Sequence, residues 1–345
     1  MKRLLFIILI VPLVLISGCS DKHQDDRLKV IFETDIGNDI DDALALDMLY
    51  KYMDQGRIDL LAVMLNKCAP APGEYMDIMG TWYGYPDVPV GIVRDGTDDP
   101  YGKYAQQVVD LKNEDGTMMF ARSHKSYDEL PDAHMLYRQI LARQKDNSVV
   151  IASVGFSTNL ARLLDTPADE FSPLTGRELV KRKVRLLVPM AGHITDLGHH
   201  EYNVVKDIPA AQKVFAQWPT QIAVSPFEVG LAIEYPGASM ADDFTWTSQH
   251  PMVESYRAWG NGNLLYDRPT WDLTAVLYAV EGDSWFTMSE PGSIEITPEG
   301  SSVFTPCPDG KVRYMKVDDA QCAAILGRFK EVITSQPKAR QHPVR

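Results

Sequence analysis

The chain has 345 residues, of which 45% are hydrophobic, and its formal net charge is -13. Such an acidic surface disfavours nucleic acids and anionic membranes as electrostatic partners, whereas an uncharged small molecule is not excluded. The four cysteines show neither a Cys-x-x-Cys pair nor a Cys/His ligand spacing, so a structural zinc site is not expected.

The first nineteen residues predict a bacterial lipoprotein signal peptide. A basic start at Lys2 and Arg3 precedes an apolar run, Leu4–Ile16, which is too short for an ordinary membrane span. The run ends in Leu-Ile-Ser-Gly-Cys, which resembles a lipobox in which Cys19 is lipidated and becomes the mature N-terminus. An ordinary cleaved signal and an uncleaved anchor helix are the alternatives. Residues 20–27 then form a flexible tether, and the lipid holds the protein at a membrane, in the periplasm or cell envelope.

Residues 28–338 are predicted to form one large domain, because no repeat or low-complexity linker divides them. Loss of Lys2 and Arg3 takes the formal charge of the mature chain from -13 to -15. Three cysteines remain after Cys19, and an odd number leaves at least one thiol unpaired, so the fold is no disulfide framework. A bridge between Cys307 and Cys322 stays open.

The predicted elements alternate along the chain. In order, they are a strand at Leu28–Phe32, a helix at Asp42–Gln55, a strand at Ile58–Leu65, a helix at Gly73–Tyr83, a strand at Val88–Val93, loops over Arg94–Asp132, a helix at Ala133–Gln144, a strand at Ser148–Ser153, a helix at Thr158–Leu164, a strand at Val184–Met190, a helix at Pro209–Ala216 and a strand at Thr220–Ser225. This alternation predicts an α/β fold with a single open, mostly parallel sheet and helices on both faces, similar to a Rossmann core. Ser293–Pro298 and Lys311–Val317 predict a small C-terminal β-hairpin arm, followed by a last helix at Ala320–Ile333.

Three polar segments each come directly after a predicted strand: Asp35–Asp42, Gly155–Asn159 and Ala191–Asn203. In open parallel sheets, ligands bind at the carboxyl ends of the strands. Segments that are far apart in the sequence are therefore expected to converge on one edge of the sheet.

The first of these segments belongs to an acidic stretch, residues 33–43, with four aspartates and one glutamate. Helix capping by Asp41 or Asp42 would leave the other acids unexplained. An EF-hand loop counted from Asp35 lacks the required glycine and bidentate glutamate, and the acids lack the one-sided spacing of a prenyl-transferase helix. A phosphatase of the haloacid-dehalogenase type also has an Asp-x-Asp pair after its first strand, but here the first acid is Glu33.

A hard divalent cation explains the stretch better. Ca²⁺ takes six to eight oxygen ligands and accepts bidentate carboxylates. Asp35 at the strand end and Asp42 at the helix start could hold one ion, with Gly37 allowing a tight turn between them. The charge of the ion would offset the repulsion between the carboxylates.

At this point the sequence resembles the inosine/uridine-preferring nucleoside hydrolases. Their signature after the first strand is Asp-x-Asp-Pro-Gly-x-Asp-Asp-Ala, and this chain reads Glu-Thr-Asp-Ile-Gly-Asn-Asp-Ile-Asp-Asp-Ala over residues 33–43. Glu33 replaces the first aspartate, Ile36 replaces the proline, and two extra residues lie within the turn. Three later segments match in the right order: Val154–Leu164, Val188–Ala211 and Arg268–Val280.

The resemblance implies calcium-dependent hydrolysis of the N-glycosidic bond of ribonucleosides. It assigns calcium to Asp35, Asp42, the carbonyl group of Thr158 and Asp272, and it makes Asp35 the base that deprotonates the attacking water. It assigns the ribose to Asp41, Met190, Glu201 and Asn203. It gives no clear place to Asn38 or Asp39, and for Asp39 two roles stay open, a group behind the metal ligands or an extra contact to the ribose.

Trp271 stands where many members of that family have a histidine that acts as general acid. Indole cannot serve as that acid, but a purine-specific branch also has tryptophan there, and stacking favours a purine. The resemblance therefore implies purine nucleosides such as inosine as substrates, with core packing as the alternative role of Trp271. Candidate base-side contacts that could replace the histidine are Arg268, His193, His199 and His200. Trp82 and Trp259 either line the pocket or, more simply, pack.

Two other functions stay open from the sequence. One is a non-catalytic lipoprotein that binds a nucleoside or sugar, and the other is a hydrolase of a different N-riboside. The family is often dimeric or tetrameric, so a homodimer or homotetramer is an expectation from the resemblance.

Overall fold

The computed structural model describes residues 27–37, 39–97, 103–123 and 127–341. Cys19 and nearly all of the tether lie outside these ranges, so the lipid anchor stays a prediction, as does any role of Asn38. Within the described ranges, no helix is long and apolar enough to cross a membrane.

The strands are β1 Leu28–Thr34, β2 Ile58–Leu65, β3 Val90–Ile92, β4 Val149–Ser153, β5 Val184–Pro189, β6 Gln221–Val224, β7 Glu234–Tyr235, β8 Arg268–Pro269, β9 Thr287–Met288, β10 Gly292–Ile296, β11 Ser302–Pro306 and β12 Val312–Lys316. The helices are α1 Asp41–Asp54, α2 Pro70–Tyr83, α3 Lys103–Val109, α4 Ala133–Arg143, α5 Thr158–Asp165, α6 Gly176–Lys183, α7 Tyr202–Val205, α8 Ile208–Gln217, α9 Phe227–Leu231, α10 Gly237–Asp242, α11 Pro251–Trp259, α12 Trp271–Glu281 and α13 Asp319–Ile333.

Most of the strands form one sheet in the order β3-β2-β1-β4-β5-β6-β12-β10-β11, and neighbours from β3 to β12 are parallel. This confirms the predicted α/β fold with a mostly parallel sheet. The chain first builds β2 and β3 on one side of β1, and then returns to place β4, β5 and β6 on the other side. The order therefore reverses between β1 and β4, which is where open α/β sheets bind their ligands.

Side chains of β1 point alternately to the two faces of the sheet, and both faces are covered. Val30 and Phe32 pack into one apolar layer with Leu273 of α12, while Ile31 packs into the other with Leu160 of α5. A strand that is buried on both sides is nearly continuously apolar, which is the pattern that the sequence shows. The only carboxylate within β1 is Glu33, near its carboxyl end.

The predicted C-terminal hairpin arm is not confirmed. Ser293–Pro298 was expected to pair with Lys311–Val317, but β10 pairs along its length with β11, and its only register pair with β12 is Gly292 with Val312. β12 instead joins the main sheet in parallel with β6. The tight turn at residues 297–301, closed by a hydrogen bond from the N–H of Thr297 to the carbonyl of Ser301, joins β10 to β11, a strand that the sequence analysis left unassigned.

Seven helices of the described residues were not predicted from the sequence, namely α3, α6, α7, α9, α10, α11 and α12, and others differ at their ends. α2 begins at Pro70 instead of Gly73, since proline fits the first helical turn, where no N–H partner is needed. α3 lies within the stretch that was expected to be loops. α6 was not predicted, although Thr175 and Glu178 form a capping box at its start.

A buried ion pair fixes α1, the helix that carries part of the candidate site. Asp47 and Lys51 are fully buried and lie 2.9 Å apart, Nζ to Oδ2. Tyr83 of α2 donates to Asp47, and Lys51 donates to the carbonyl of Ile333 in α13. The pair therefore ties α1 to two neighbouring helices.

We expect Asp47→Asn to lower the free energy of unfolding by about 3 kcal/mol or more, because it leaves the ammonium group of Lys51 buried without its counter-ion. Urea unfolding measures the change. The control is Asp146→Asn at an exposed pair with Arg182, where the change should stay below about 1 kcal/mol. Equal effects of the two substitutions would contradict a buried, charged pair.

Candidate functional site

A cavity of about 440 Å³ opens at the carboxyl ends of the central strands, where the strand order reverses. This size is typical of small-molecule sites. Its wall consists of Asp35, Asp39, Asp41, Asp42, Val154, Met190, Glu201, Tyr202, Asn203, Phe227, Trp259, Trp271 and Asp272. One side is thus acidic and the other is largely aromatic.

Three buried carboxylates form the centre of the acidic side. Asp41 and Asp42 are the first residues of α1, and Asp272 is the second residue of α12. Each offers an oxygen atom within 4.8 Å of the others. The backbone N–H of Asp272 donates to Asp41 at 3.1 Å, and the hydroxyl of Thr34 donates to Asp42.

Burial is the main reason that the pKa of each of these carboxyl groups lies well above its usual range. Repulsion adds to this: the charge of Asp35 raises the pKa of all three groups, and Asp41 raises that of Asp42 and of Asp272. The positive ends of two helix dipoles compensate only partly. A donor set of crowded, buried carboxylate oxygens fits a hard divalent cation.

Asp35 lies in the turn that follows β1 and lines the same cavity, although it is not one of the three acids with the closest oxygen atoms. Gly37 has φ +99°, and a Cβ atom there would lie 3.0 Å from Pro72, so this turn needs glycine as expected. A Cβ atom on Gly155 would lie 2.6 Å from the backbone nitrogen of Asp35. The turn is therefore packed tightly between two neighbouring segments.

The predicted ligands Asp42 and Asp272 do meet, and Asp41, which was expected to contact ribose, joins them. Thr158 does not line this cavity. It is the first residue of α5, its hydroxyl donates to Asp207 at 2.6 Å, and it lines a neighbouring cavity with Arg162.

Thr158 is not brought to this cavity because its segment turns away from the sheet before α5 begins, and carbonyl groups within a helix bond along the helix axis. From this segment, the wall receives Val154, the first residue after β4. The carbonyl oxygen of Val154 accepts a hydrogen bond from Nδ2 of Asn203 at 3.1 Å. Its position directly after a buried strand is the signal that sequence reasoning overlooked.

Met190, Glu201 and Asn203 lie together on the wall, as expected. The carboxylate of Glu201 accepts from the backbone N–H groups of Gly192, Asn203 and Val204, at 2.8 to 3.2 Å. Burial raises the pKa of Glu201, and these donors oppose that rise. Asn203 also donates to the carbonyl oxygen of Met190 at 3.1 Å.

Trp271 belongs to the aromatic side. Its ring nitrogen Nε1 donates to the carbonyl oxygen of Phe227 at 3.0 Å, and the two rings are stacked with centroids 5.2 Å apart. Phe227 was not predicted as a site residue. Trp259 lines the cavity, whereas Trp82 packs against His250 in the core.

The other base-side candidates lie behind this wall. His199 and His193 contact the ring of Phe227 at centroid distances of 4.2 and 5.4 Å, and His200 is exposed. Arg268 pairs with Asp39, the acid whose role the sequence analysis left open.

A second missed group lies behind Asp35. Glu33 is fully buried and accepts hydrogen bonds from the hydroxyl of Tyr137 at 2.7 Å and from Asn66 at 3.4 Å. Burial raises the pKa of Glu33 to about 8. Asn66 is the first residue after β2, so a polar residue directly after a buried strand was the available signal.

The model of the family described as inosine-uridine preferring nucleoside hydrolase matches residues 30–324. No curated protein matches the chain. Among solved structures, a plant nucleoside hydrolase aligns with a TM-score of 0.67 and 17% identity, over 90% of this chain and 99% of that one.

Two bacterial structures are also similar. The purine-preferring ribonucleoside hydrolase from Gardnerella vaginalis has a TM-score of 0.66 and 15% identity, over 89% of this chain and 99% of that one. The inosine-uridine preferring nucleoside hydrolase from Bacillus anthracis has a TM-score of 0.62 and 17% identity, over 88% of this chain and 99% of that one. At such identities the likeness shows a shared fold.

Asp42→Asn should have opposite effects on stability with and without a divalent cation. In a chelator at mildly alkaline pH, it removes a repelling buried charge and should raise the free energy of unfolding by about 1 kcal/mol or more, since one unit of pKa shift is worth about 1.4 kcal/mol. In saturating Ca²⁺ the order should reverse, because the wild type gains about 2.7 kcal/mol at 100 times its dissociation constant.

Urea unfolding at several pH values measures both arms of this comparison. A carboxyl group with a raised pKa binds more protons in the folded state, so the cation-free wild type should lose stability as pH rises from about 4 towards neutrality. Asp59→Asn is the control, because Asp59 lies near the start of β2, at the other end of the strand from the cavity. Its effect on the free energy of unfolding should have the same sign with and without Ca²⁺. The same sign for Asp42→Asn with and without Ca²⁺ would contradict a cation site here.

Proposed function

Because the chain belongs to the inosine-uridine preferring nucleoside hydrolase family, and is therefore a hydrolase of N-glycosyl compounds, we propose that it hydrolyses ribonucleosides with calcium as cofactor and favours purine nucleosides such as inosine. The observation that carries this proposal is the cluster of Asp41, Asp42 and Asp272, which faces an aromatic wall across one cavity. A nucleoside needs both, because its sugar hydroxyls can bind a cation held by the acidic cluster and its flat nucleobase can stack on the aromatic wall.

Asp42 and Asp272 would hold the calcium ion together with Asp41, and Asp35 lies beside them. When bound, calcium supplies a positive charge that lowers the pKa of a water molecule and attracts vicinal hydroxyl groups. The three carboxylates would bind it through oxygen, as this ion requires. Burial and mutual repulsion raise the pKa of these carboxyl groups, and a positive charge between them would offset that repulsion, which supports this assignment.

Asp35 is the proposed base. Its carboxylate takes a proton from the attacking water, and the water oxygen bonds to C1′ of the ribose. The bond between C1′ and the nitrogen atom of the nucleobase breaks, and its electron pair leaves with the nucleobase. The transition state has oxocarbenium character, as in other glycoside hydrolyses. Glu201 and Asn203 are held by several hydrogen bonds each, so they are suited to fix the sugar on the other side of the cavity.

The aromatic side supports the proposed purine preference. Trp271, Phe227 and Trp259 offer a broad apolar surface, and a two-ring base covers more of it than a pyrimidine does. Trp271 is held in place by its hydrogen bond to Phe227. Arg268 contacts the ring of Trp271, and His193 and His199 contact that of Phe227, so these three groups could act on the leaving nucleobase through their neighbours.

The proposal extends to the cell envelope. The lipobox-like segment ending at Cys19 supports a lipoprotein whose catalytic domain faces the periplasm or cell surface, where it would serve purine salvage. A homodimer or homotetramer is proposed from the family alone.

A binding lipoprotein without turnover is the second candidate, and the tryptophan at the position expected for a histidine acid favours it. Release of reducing sugar from inosine separates the two candidates, because a binding protein shows affinity without product.

Asp35→Asn should reduce kcat for inosine by at least a hundredfold, since a positioned general base contributes about 10² to 10⁴. The measurement is release of reducing sugar in saturating Ca²⁺. Asp207→Asn, in the neighbouring cavity that Thr158 lines, is the control and should retain activity. Retained activity of Asp35→Asn would remove this residue from the chemistry.

Inosine should have a higher kcat/KM than uridine. Trp271→Ala should lower the ratio of kcat/KM for inosine to that for uridine about tenfold, because it removes a stacking partner worth roughly 1 kcal/mol in addition to the apolar area that it buries. A nucleoside panel measures both. Trp285→Phe, at an indole that donates to Glu281, is the control and should leave the ratio unchanged. Faster cleavage of uridine by the wild type would contradict the stacking argument.

A further inference from the structure

Arg268 lies between the acidic and the aromatic sides of the cavity. Its Nε atom donates to Oδ1 of Asp39 at 2.9 Å, and its Nη2 atom contacts the other carboxylate oxygen, so the pair is bidentate. The central carbon Cζ lies 4.5 Å from the ring centroid of Trp259 and 5.2 Å from that of Trp271. One planar cation thus contacts three residues of the cavity wall.

These contacts join segments that are distant in the sequence. Asp39 belongs to the turn between β1 and α1, which is two residues longer than the signature of the family. Arg268 begins β8, which leads directly into α12 with Trp271 and Asp272, and Trp259 ends α11. The position of Arg268 is fixed by the pairing of β8 with β7, where Arg268 lies opposite Tyr235.

The ion pair between Arg268 and Asp39 affects both the acidic and the aromatic side of the cavity. It compensates the charge of Asp39, which otherwise adds to the repulsion on Asp41. It also holds the two indoles through cation–π contacts, and a guanidinium group suits this task because it is planar and always charged. Lysine would keep the charge but lose the flat face and the bidentate geometry.

We propose that Arg268 is a positioning residue that sets base selectivity: paired with Asp39, it holds Trp259 and Trp271 so that the cavity accepts a two-ring base in preference to a one-ring base. This inference rests on the proposed nucleoside substrate. Arg268 acts through the two indoles and is not itself placed in contact with the reacting atoms.

The test compares Arg268→Gln, Arg268→Lys, Asp39→Asn and the double variant Arg268→Gln/Asp39→Asn with the wild type. The readout is the ratio of kcat/KM for inosine to that for uridine, with kcat and KM determined separately. Arg257→Gln is the matched control, because Arg257 is a more exposed arginine on α11 that pairs only locally, with Glu254 at 3.3 Å. Thermal unfolding and Ca²⁺ titration show whether each variant keeps its fold and its cation affinity.

Arg268→Gln should lower the ratio about tenfold, mainly through a higher KM for inosine, because both cation–π contacts and the ion pair are lost. Asp39→Asn should have a similar effect, and the double variant should be no worse than either single one, since both remove the same interaction. Arg268→Lys should recover part of the ratio. Arg257→Gln should match the wild type.

An unchanged ratio in folded Arg268→Gln would overturn the proposal. So would an equal loss of kcat for both nucleosides with KM unchanged, since that would place Arg268 in the chemistry and not in selectivity. If the wild type hydrolyses neither nucleoside, the proposed function fails. The ratio of the two dissociation constants from calorimetry then tests the role of Arg268 with the same variants and the same expected directions.

Discussion

The electrostatic repulsion between buried carboxylates is the constraint on which the rest of this site depends. Asp41, Asp42 and Asp272 bring oxygen atoms within 4.8 Å of one another, and Asp35 adds its charge to theirs. Burial makes this repulsion costly because little solvent screens it. Two helix N-termini, the hydroxyl of Thr34 and a backbone N–H group offset only part of the cost. A divalent cation bound between these carboxylates would make such an arrangement favourable.

The fold places the aromatic wall of the cavity opposite the acidic cluster, at the same edge of the sheet. Because the strand order reverses between β1 and β4, the loops after β4, β5 and β6 all face the acidic turn. They bring Val154, Met190 and Phe227 to the wall. Charge and aromatic surface therefore come from different parts of the chain, and Arg268 with Asp39 is the contact that joins them. A nucleoside has the same division, with a polar diol at one end and a flat base at the other.

Part of this could be predicted from the sequence and part could not. The strands of the parallel sheet and the convergence of Asp42 and Glu201 follow from the alternating pattern and the position of polar residues after strands, whereas Asp272 was assigned only by the resemblance to the family. Thr158 lies outside the cavity because only a few residues separate the end of β4, which faces the cavity, from the start of α5, which does not. The pairing of Arg268 with Asp39 spans 229 residues, and no local pattern encodes it. The partner of β10 was missed because β11, the strand that follows the short turn, was not recognised in the sequence.

A crystal structure of the protein with calcium and ribose tests the central claim most directly. We expect one ion in contact with the carboxylates of Asp42 and Asp272, with hydroxyl groups of the sugar facing it and the space beside Trp271 left for a nucleobase. An ion bound elsewhere, for example beside Asp207 and Thr158, with Asp42 and Asp272 lacking a metal under saturating calcium, would contradict it.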